Sequence, residues 1–276
     1  MLACEAAVLF LAKGHEVWAP DIDELDITDH KKTSETVLDL KPSLVLHTAA
    51  LHVDDCENDP EKAYKINAWS SQSLARACCR AGSELVYISS CGYFGDEIRP
   101  YSEYDKVVLK TVYAKSKYRG EDLCLKECER TFAVRPGWLF GGSIKQKKNF
   151  VYQRYLEAKK NPVLRSASDK FGSPTYIGDL VSKIEEIIES KFYGIYHVTN
   201  AGGCSRAEYV KKIIDSCGLK NEVIPVDSNA FPRKANVPSC EILDNWNLKF
   251  IGLAKMPSWQ DAIERYSKLM LREINA

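Results

Sequence analysis

The segment Glu84-Leu85-Val86-Tyr87-Ile88-Ser89-Ser90 decides the reading of the fold. Its apolar run does not alternate with polar residues, which is the pattern of a strand buried on both faces of a parallel sheet. A second run of the same kind, Ser43-Leu44-Val45-Leu46-His47-Thr48-Ala49-Ala50, lies about forty residues earlier. A third, Thr131-Phe132-Ala133-Val134-Arg135, follows, and His15–Asp21 is read as a short strand ending in an acid. Helical patterns separate them: Leu2–Lys13 with Gly14 as its stop, Asp29–Leu40 with Thr28 or Asp29 as its cap, about Pro60–Ala81, and a helix from Tyr113 to about Arg130. Strand and helix in regular alternation predict an α/β protein with a doubly wound Rossmann-type parallel sheet. Ligands of such sheets sit beyond the carboxyl ends of the strands, where Asp21, Ala49, Ala50 and Ser90 fall.

After Arg135 the alternation loosens into a helix at Asn149–Lys160, the loop Gly172-Ser173-Pro174-Thr175, helix Ile177–Ser190 and strand Gly194–Thr199. Ser205–Ala276 reads as mostly helical, with prolines 225, 232 and 238 in its middle. The expected organisation is a dinucleotide-binding domain of residues 1–136 with a return segment at 176–200. A smaller C-terminal substrate lobe would comprise 137–175 and 201–276.

Composition removes several classes. Apolar residues are 45% and charged residues 28% of the 276, and Lys+Arg balances Asp+Glu at 38 each. Without a basic stripe or acidic tail, neither nucleic acid nor an anionic membrane is the expected partner. No apolar run approaches the ~20 residues of a membrane span. The apolar start lacks a basic region and carries Glu5, so it reads as a helix rather than a secretion signal. Ten cysteines contain no Cys-x-x-Cys pair, and the i,i+4 pair Cys124 and Cys128 has no histidine close in sequence, so reduced thiols in a cytoplasmic protein are expected, with no metal site.

The chemistry centres on Tyr113-Ala114-Lys115-Ser116-Lys117. On a helix Tyr113 and Lys117 share one face a turn apart, and an ammonium beside a phenol is expected to lower the phenol pKa. A phenol so tuned exchanges a proton with a carbonyl or alcohol oxygen. The same spacing recurs at Tyr155 and Lys159, which read as a solvated helix pair.

Further segments place the first motif in context: Gly14-His15-Glu16-Val17, Glu24-Leu25-Asp26-Ile27-Thr28-Asp29, His47-Thr48-Ala49-Ala50 and Val53-Asp54-Asp55-Cys56-Glu57. Beyond these come Ala63-Tyr64-Lys65-Ile66-Asn67, Ile88-Ser89-Ser90, Gly120-Glu121 and Arg135-Pro136-Gly137-Trp138-Leu139-Phe140-Gly141. Lys148-Asn149-Phe150, Phe171-Gly172-Ser173-Pro174-Thr175 and Trp259-Gln260-Asp261-Ala262 complete the series. In this order the segments resemble the extended short-chain dehydrogenase/reductase family, and most its dTDP-4-dehydrorhamnose reductase branch.

The resemblance implies a catalytic trio. Ser90 would donate to the substrate oxygen, Tyr113 would be the general acid, and Lys117 would lower the Tyr113 pKa and bond the nicotinamide ribose. It implies NADPH or NADH as cofactor, with Asp21 on the adenosine ribose, Asp26 and Ile27 beside the adenine, and Ala49 and Ala50 against the cofactor. Asn67 either braces the site or caps a helix. A nucleotide sugar is the implied substrate, with Trp138 on the sugar and Asn149, Phe150 and Arg233 toward the nucleotide, Arg233 at its diphosphate. Trp138 as a core residue and the last three as surface residues are the competing readings. A homodimer is the expected assembly. Sugar-nucleotide epimerases and dehydratases use the same trio, and a non-catalytic NADP-binding regulatory subunit of methionine adenosyltransferase shares the fold.

The chain departs from the family in three places. The usual Ser-Thr-Asp-Tyr-Val-Phe reads Ser89-Ser90-Cys91-Gly92-Tyr93-Phe94, so Gly92 stands in for an aromatic residue near the sugar. The stretch at Val53-Asp54 is one residue short. The chain also opens at the first helix, without the strand and Gly-x-x-Gly-x-x-Gly turn that ordinarily precede it. The expectation is an incomplete copy of an ordinary enzyme. The competing expectation is a short protein in which something else fills the place of the first strand.

Overall fold

The structure, a computed structural model, describes residues 1–146 and 148–276. Its centre is a parallel sheet in the order β1 (Leu44–His47), β2 (Glu84–Ile88), β3 (Thr131–Pro136) and the Gly194–Val198 strand. All five residues of β2 and all six of β3 are buried. Successive side chains of a strand point to opposite faces, and each face has its own helical cover. Val86, Ile88, Phe132 and Val134 pack with α1 (Leu2–Ala12) and the Ile177–Ser190 helix. Leu85 and Tyr87 pack on the other side with Val37 of α2 (His30–Leu40), the Ser70–Ala81 helix and Cys124. The doubly wound arrangement read from the sequence is therefore present.

The local signals hold at several ends. Gly14 adopts φ +84°, and its N–H and that of His15 close onto Leu11 and Phe10 carbonyls. Asp29 is the cap of α2, accepting from Lys32 N at 3.0 Å. Residues 60–81 are helical throughout, but Lys65–Trp69 form a π-helical turn between Pro60–Tyr64 and Ser70–Ala81.

Two strand expectations need correction. Residues 15–21 form no strand, because none of the described residues pairs with them and an extended segment becomes a strand only within a ladder. The run at 43–50 is ordered as a strand only over Leu44–His47, with its first three residues partly buried. It lies at the edge of the sheet, covered laterally by β2 alone, and so lacks the enclosure that its apolar pattern suggested.

The C-terminal part is also less helical than expected. Short pairings join Trp138–Phe140 to Pro174–Tyr176, Val163–Ala167 to Glu222–Val226, and Phe171–Gly172 to both Cys240–Glu241 and Cys204–Ser205. Helices Arg206–Ser216 and Trp259–Ile274 close an aromatic core of Phe140, Tyr209, Trp259 and Tyr266. All ten cysteines are unpaired thiols, and no helix among the described residues is long and apolar enough to cross a membrane.

The helix that carries Tyr113 and Lys117, Val112–Glu127, is drawn against the π-helical turn through Gly120. A Cβ there would fall 2.1 Å from Asn67 O and 2.5 Å from Tyr87 Oη. Gly120→Ala is expected to destabilise the protein by about 1–3 kcal/mol through overpacking, read as a lowered urea midpoint at unchanged slope.

Candidate active site

Ser90 follows β2 at the carboxyl edge of the sheet, and Tyr113 and Lys117 rise toward it on the Val112–Glu127 helix. Thr111 caps that helix, accepting from Ala114 N at 3.0 Å. Ser90 is buried, and its Oγ accepts from Gly92 N at 3.1 Å, turning the chain sharply past the strand end. The Ser90 hydroxyl also lies close enough to the Tyr113 phenol to favour its charged form. The trio anticipated from the sequence is thus assembled at one strand end.

Its electrostatics differ from expectation. Burial pushes the Tyr113 phenol above its ordinary value, the nearby Cys91 thiol adds to this, and the Ser90 hydroxyl opposes it. Lys117 does not depress it. The Lys117 ammonium is spent elsewhere: Nζ donates to Ile88 O at 2.6 Å and lies 4.0 Å from the centre of the Tyr87 ring. Desolvation dominates there too and brings Lys117 from 10.5 to about 7. Both groups favour their neutral forms because each is withdrawn from water without a compensating charge in contact.

Asn67 links two segments. It sits in the π-helical turn, so it caps no helix; its Oδ1 accepts from Leu51 N at 2.8 Å and its Nδ2 donates to Ser116 Oγ at 3.0 Å. It thereby joins the loop after β1 to the helix that bears Tyr113. Ala49 is exposed and Ala50 half-buried in that loop. Asp21 is exposed, with Oδ1 accepting from Ile22 N at 2.7 Å; Asp26 accepts from Thr28 N at 2.8 Å, which lowers its pKa. Neither is brought to a strand end, since no strand forms at 15–21. Ile27 is half-buried beside Asp26.

The residues expected around the substrate divide. Trp138 Nε1 donates to Glu241 Oε2 at 2.7 Å. A Cβ built on Gly172 would lie 2.2–2.6 Å from three contiguous atoms of the indole, so the Gly172 backbone rests flat on one face. The Arg206 guanidinium is 3.4 Å from the ring centroid; two groups at these distances cannot share a face, so Arg206 covers the other. Both faces of Trp138 are covered, and a sugar can stack on it only by displacing Arg206. Asn149 is fully buried, caps the Phe150–Lys160 helix and donates to the Tyr266 hydroxyl. Phe150 packs at 5.1 Å on Tyr209. Arg233 is exposed and bonds both Asp54 oxygens at 3.1 Å. Tyr155, of the duplicate motif, stacks on Tyr152, with Lys159 exposed.

Two residues of this region escaped the sequence reading, Glu241 and Arg206. A Cβ on Gly92 would lie 3.2 Å from Glu241 Oε1 and 3.4 Å from Ser90 Oγ, so the space an aromatic residue would need is held by the Glu241 carboxylate. The missed signal for Arg206 was its place one residue after Ser205, which forms a capping box with Glu208: a cation at the positive end of a helix is unfavourable and asks for a reason.

A doubly wound sheet with a serine hydroxyl, a tyrosine and a buried lysine at one strand end defines a protein of the short-chain dehydrogenase/reductase class. More narrowly, residues 1–272 match the RmlD substrate binding domain, and the chain belongs to that family. It is 32% identical over 269 residues to the dTDP-4-dehydrorhamnose reductase of Mycolicibacterium smegmatis, covering 96% of this chain and 80% of the relative. The crystal structure of a dTDP-4-dehydrorhamnose reductase from Clostridium acetobutylicum superposes with TM-score 0.93 at 31% identity, covering 98% of this chain and 96% of that one. The Bacillus anthracis dTDP-4-dehydrorhamnose reductase, solved in complex with NADP, gives 0.91 at 33% identity over 96% and 94%. The family is one of NAD(P)-dependent oxidoreductases.

Lys117 offers a pH test of this geometry. Its pKa in the folded chain lies below the ordinary 10.5, so between about pH 7 and 10.5 the unfolded chain binds the extra proton. The stability cost is then fully present below about pH 7 and fades as pH rises. The stability of Lys117→Met relative to wild type is expected to improve as pH falls from about 10 to about 7, measured by urea unfolding at both ends. A difference independent of pH would contradict the buried, depressed ammonium.

Proposed function

We propose that the chain is an NADPH- or NADH-dependent reductase of a nucleotide-linked 4-keto-6-deoxysugar. The observation that carries this reading is the Ser90–Tyr113 hydroxyl pair above the buried Lys117 at the carboxyl edge of β2. The Ser90 and Tyr113 hydroxyls meet the substrate carbonyl oxygen from two elements, so charge developing on it is stabilised as it forms. Burial keeps the phenol protonated at neutral pH, which the acid role requires, and Tyr113 gives that proton to the oxygen as it becomes an alkoxide.

The residues present fit a nicotinamide cofactor at this end of the site. Lys117 uses one donor on Ile88 O and keeps others for ribose hydroxyls; Ala49 and Ala50 leave room for close backbone approach. When bound, the cofactor supplies the hydride. Asp21 and Asp26 are the residues we assign to its adenosine half, with Ile27 against the base. Asn67 holds the supporting loop.

Residues 1–136 with 176–200 then form the cofactor domain, and 137–175 with 201–276 the substrate lobe. Ten free thiols suit the reducing cytoplasm, and a homodimer is the assembly we propose.

Tyr113→Phe removes the proton donor with little change of shape. Reduction of a dTDP-4-keto-6-deoxysugar, followed by NADPH oxidation, is expected to fall about 10²–10⁴-fold with the circular dichroism spectrum unchanged. Wild-type turnover in the variant would sink the assignment. Asp21→Ser is expected to raise the NADPH-to-NADH rate ratio, because a carboxylate beside the adenosine ribose opposes a 2′-phosphate.

A further inference from the structure

Arg206 is half-buried, yet its guanidinium forms no ion pair and no hydrogen bond with any of the described residues. The other arginines withdrawn from solvent are all paired: Arg99 with Asp105, Arg135 with Glu121, Arg154 with Glu157 and Arg265 with Asp179. Arg206 instead lies flat on Trp138 at 3.4 Å from the centroid, with the rings of Phe150 at 5.1 Å and Tyr209 at 5.8 Å. Stacking uses the face of a guanidinium and leaves its N–H edge free.

Three features mark this place. Arg206 is the first residue of an eleven-residue helix, at the positive end of its dipole. Glu208, the acid of that first turn, is occupied in the capping box with Ser205 N and Oγ. One turn along the same face, the Tyr209 hydroxyl is buried and has no partner. Glu241 holds Trp138 Nε1 with one oxygen and receives the Cys91 S–H at 3.7 Å with the other, and it acts on Arg206 only through space, with no hydrogen bond between them. Cys91 adjoins Ser90, and the path Arg206–Trp138–Glu241–Cys91 therefore ends beside the hydroxyl pair.

We infer that Arg206 receives the diphosphate of the nucleotide-linked substrate, its N–H edge bonding phosphate oxygens while its plane stays stacked beside Phe150 and Tyr209. This assignment rests on the nucleotide-sugar reading of the site and supplies the cation that reading needs. Arg233, the residue otherwise expected there, is already engaged with both oxygens of Asp54. A fork of coplanar donors matches phosphate geometry, and the aromatic surround strengthens each bond by excluding water.

The test is calorimetric titration of the wild-type chain and its Arg206→Gln, Arg206→Lys and Arg165→Gln forms with dTDP and with inorganic pyrophosphate. Losing a charge-assisted contact predicts dTDP affinity lower by about 10- to 100-fold in R206Q, with a smaller loss in R206K, which keeps the charge without the fork. R165Q, altered on an exposed strand position, should bind as wild type does. If wild type binds dTDP and folded R206Q and R206K bind it equally well, this inference falls and the reductase reading stands. If wild type binds neither dTDP nor pyrophosphate, the inference falls together with the nucleotide-sugar reading.

Discussion

The structure hangs on one buried ion pair. Arg135 of β3 reaches Glu121 on the Val112–Glu127 helix through two bonds of 2.5 and 2.9 Å, with both side chains almost sealed from solvent. Ser89 Oγ donates to the same carboxylate at 2.6 Å, and the guanidinium lies 5.2 Å from the Tyr93 ring centre. Such a pair is weak evidence for stability, since desolvating two charges costs much of what their attraction returns. Its value is geometric. A half-made pair would leave a bare charge in the core, so the helix has one acceptable register against β2 and β3.

That register is what places Tyr113 and Lys117. Tyr113, Lys117 and Glu121 recur every four residues and share one helix face. With Glu121 anchored beside Ser89, Lys117 falls under the Ile88 carbonyl and Tyr113 beside Ser90. Gly120 and Asn67 hold the same helix from its other side, the first by absence of a side chain and the second through Ser116. A strand end, a helix and a π-helical turn thus meet with little freedom, as the proposed pairing of two hydroxyls on one oxygen requires.

The C-terminal part meets the site through Trp138. Gly172, Arg206 and Glu241 arrive from three separate segments to cover its two faces and its N–H. The indole serves as a shared wall more than as an open platform. Glu241 fills the space left by Gly92, so a departure from the family pattern in one segment is matched by a carboxylate from another about 150 residues away.

Much was legible in the sequence because it depends on local order. Unbroken apolar runs with helices between them determined the doubly wound sheet, and the order Ser90, Tyr113, Lys117, Glu121, Arg135 singled out which of two identical spacings lies at a strand end. Apolar pattern does not encode a neighbour: residues 15–21 have the composition of a strand and β1 that of a central one, yet pairing decides both. Nor does spacing encode solvent. The expected fall of the Tyr113 pKa assumed that charge proximity would prevail, whereas burial does, with Lys117 turned to a carbonyl. Asn149 and Arg233 carried polar side chains with no sign of their partners; only packing made one a buried cap and the other half of a surface pair. Arg206 and Glu241 were visible as letters. Their meaning arises from contacts between segments far apart in the chain, and those the tertiary structure alone decides.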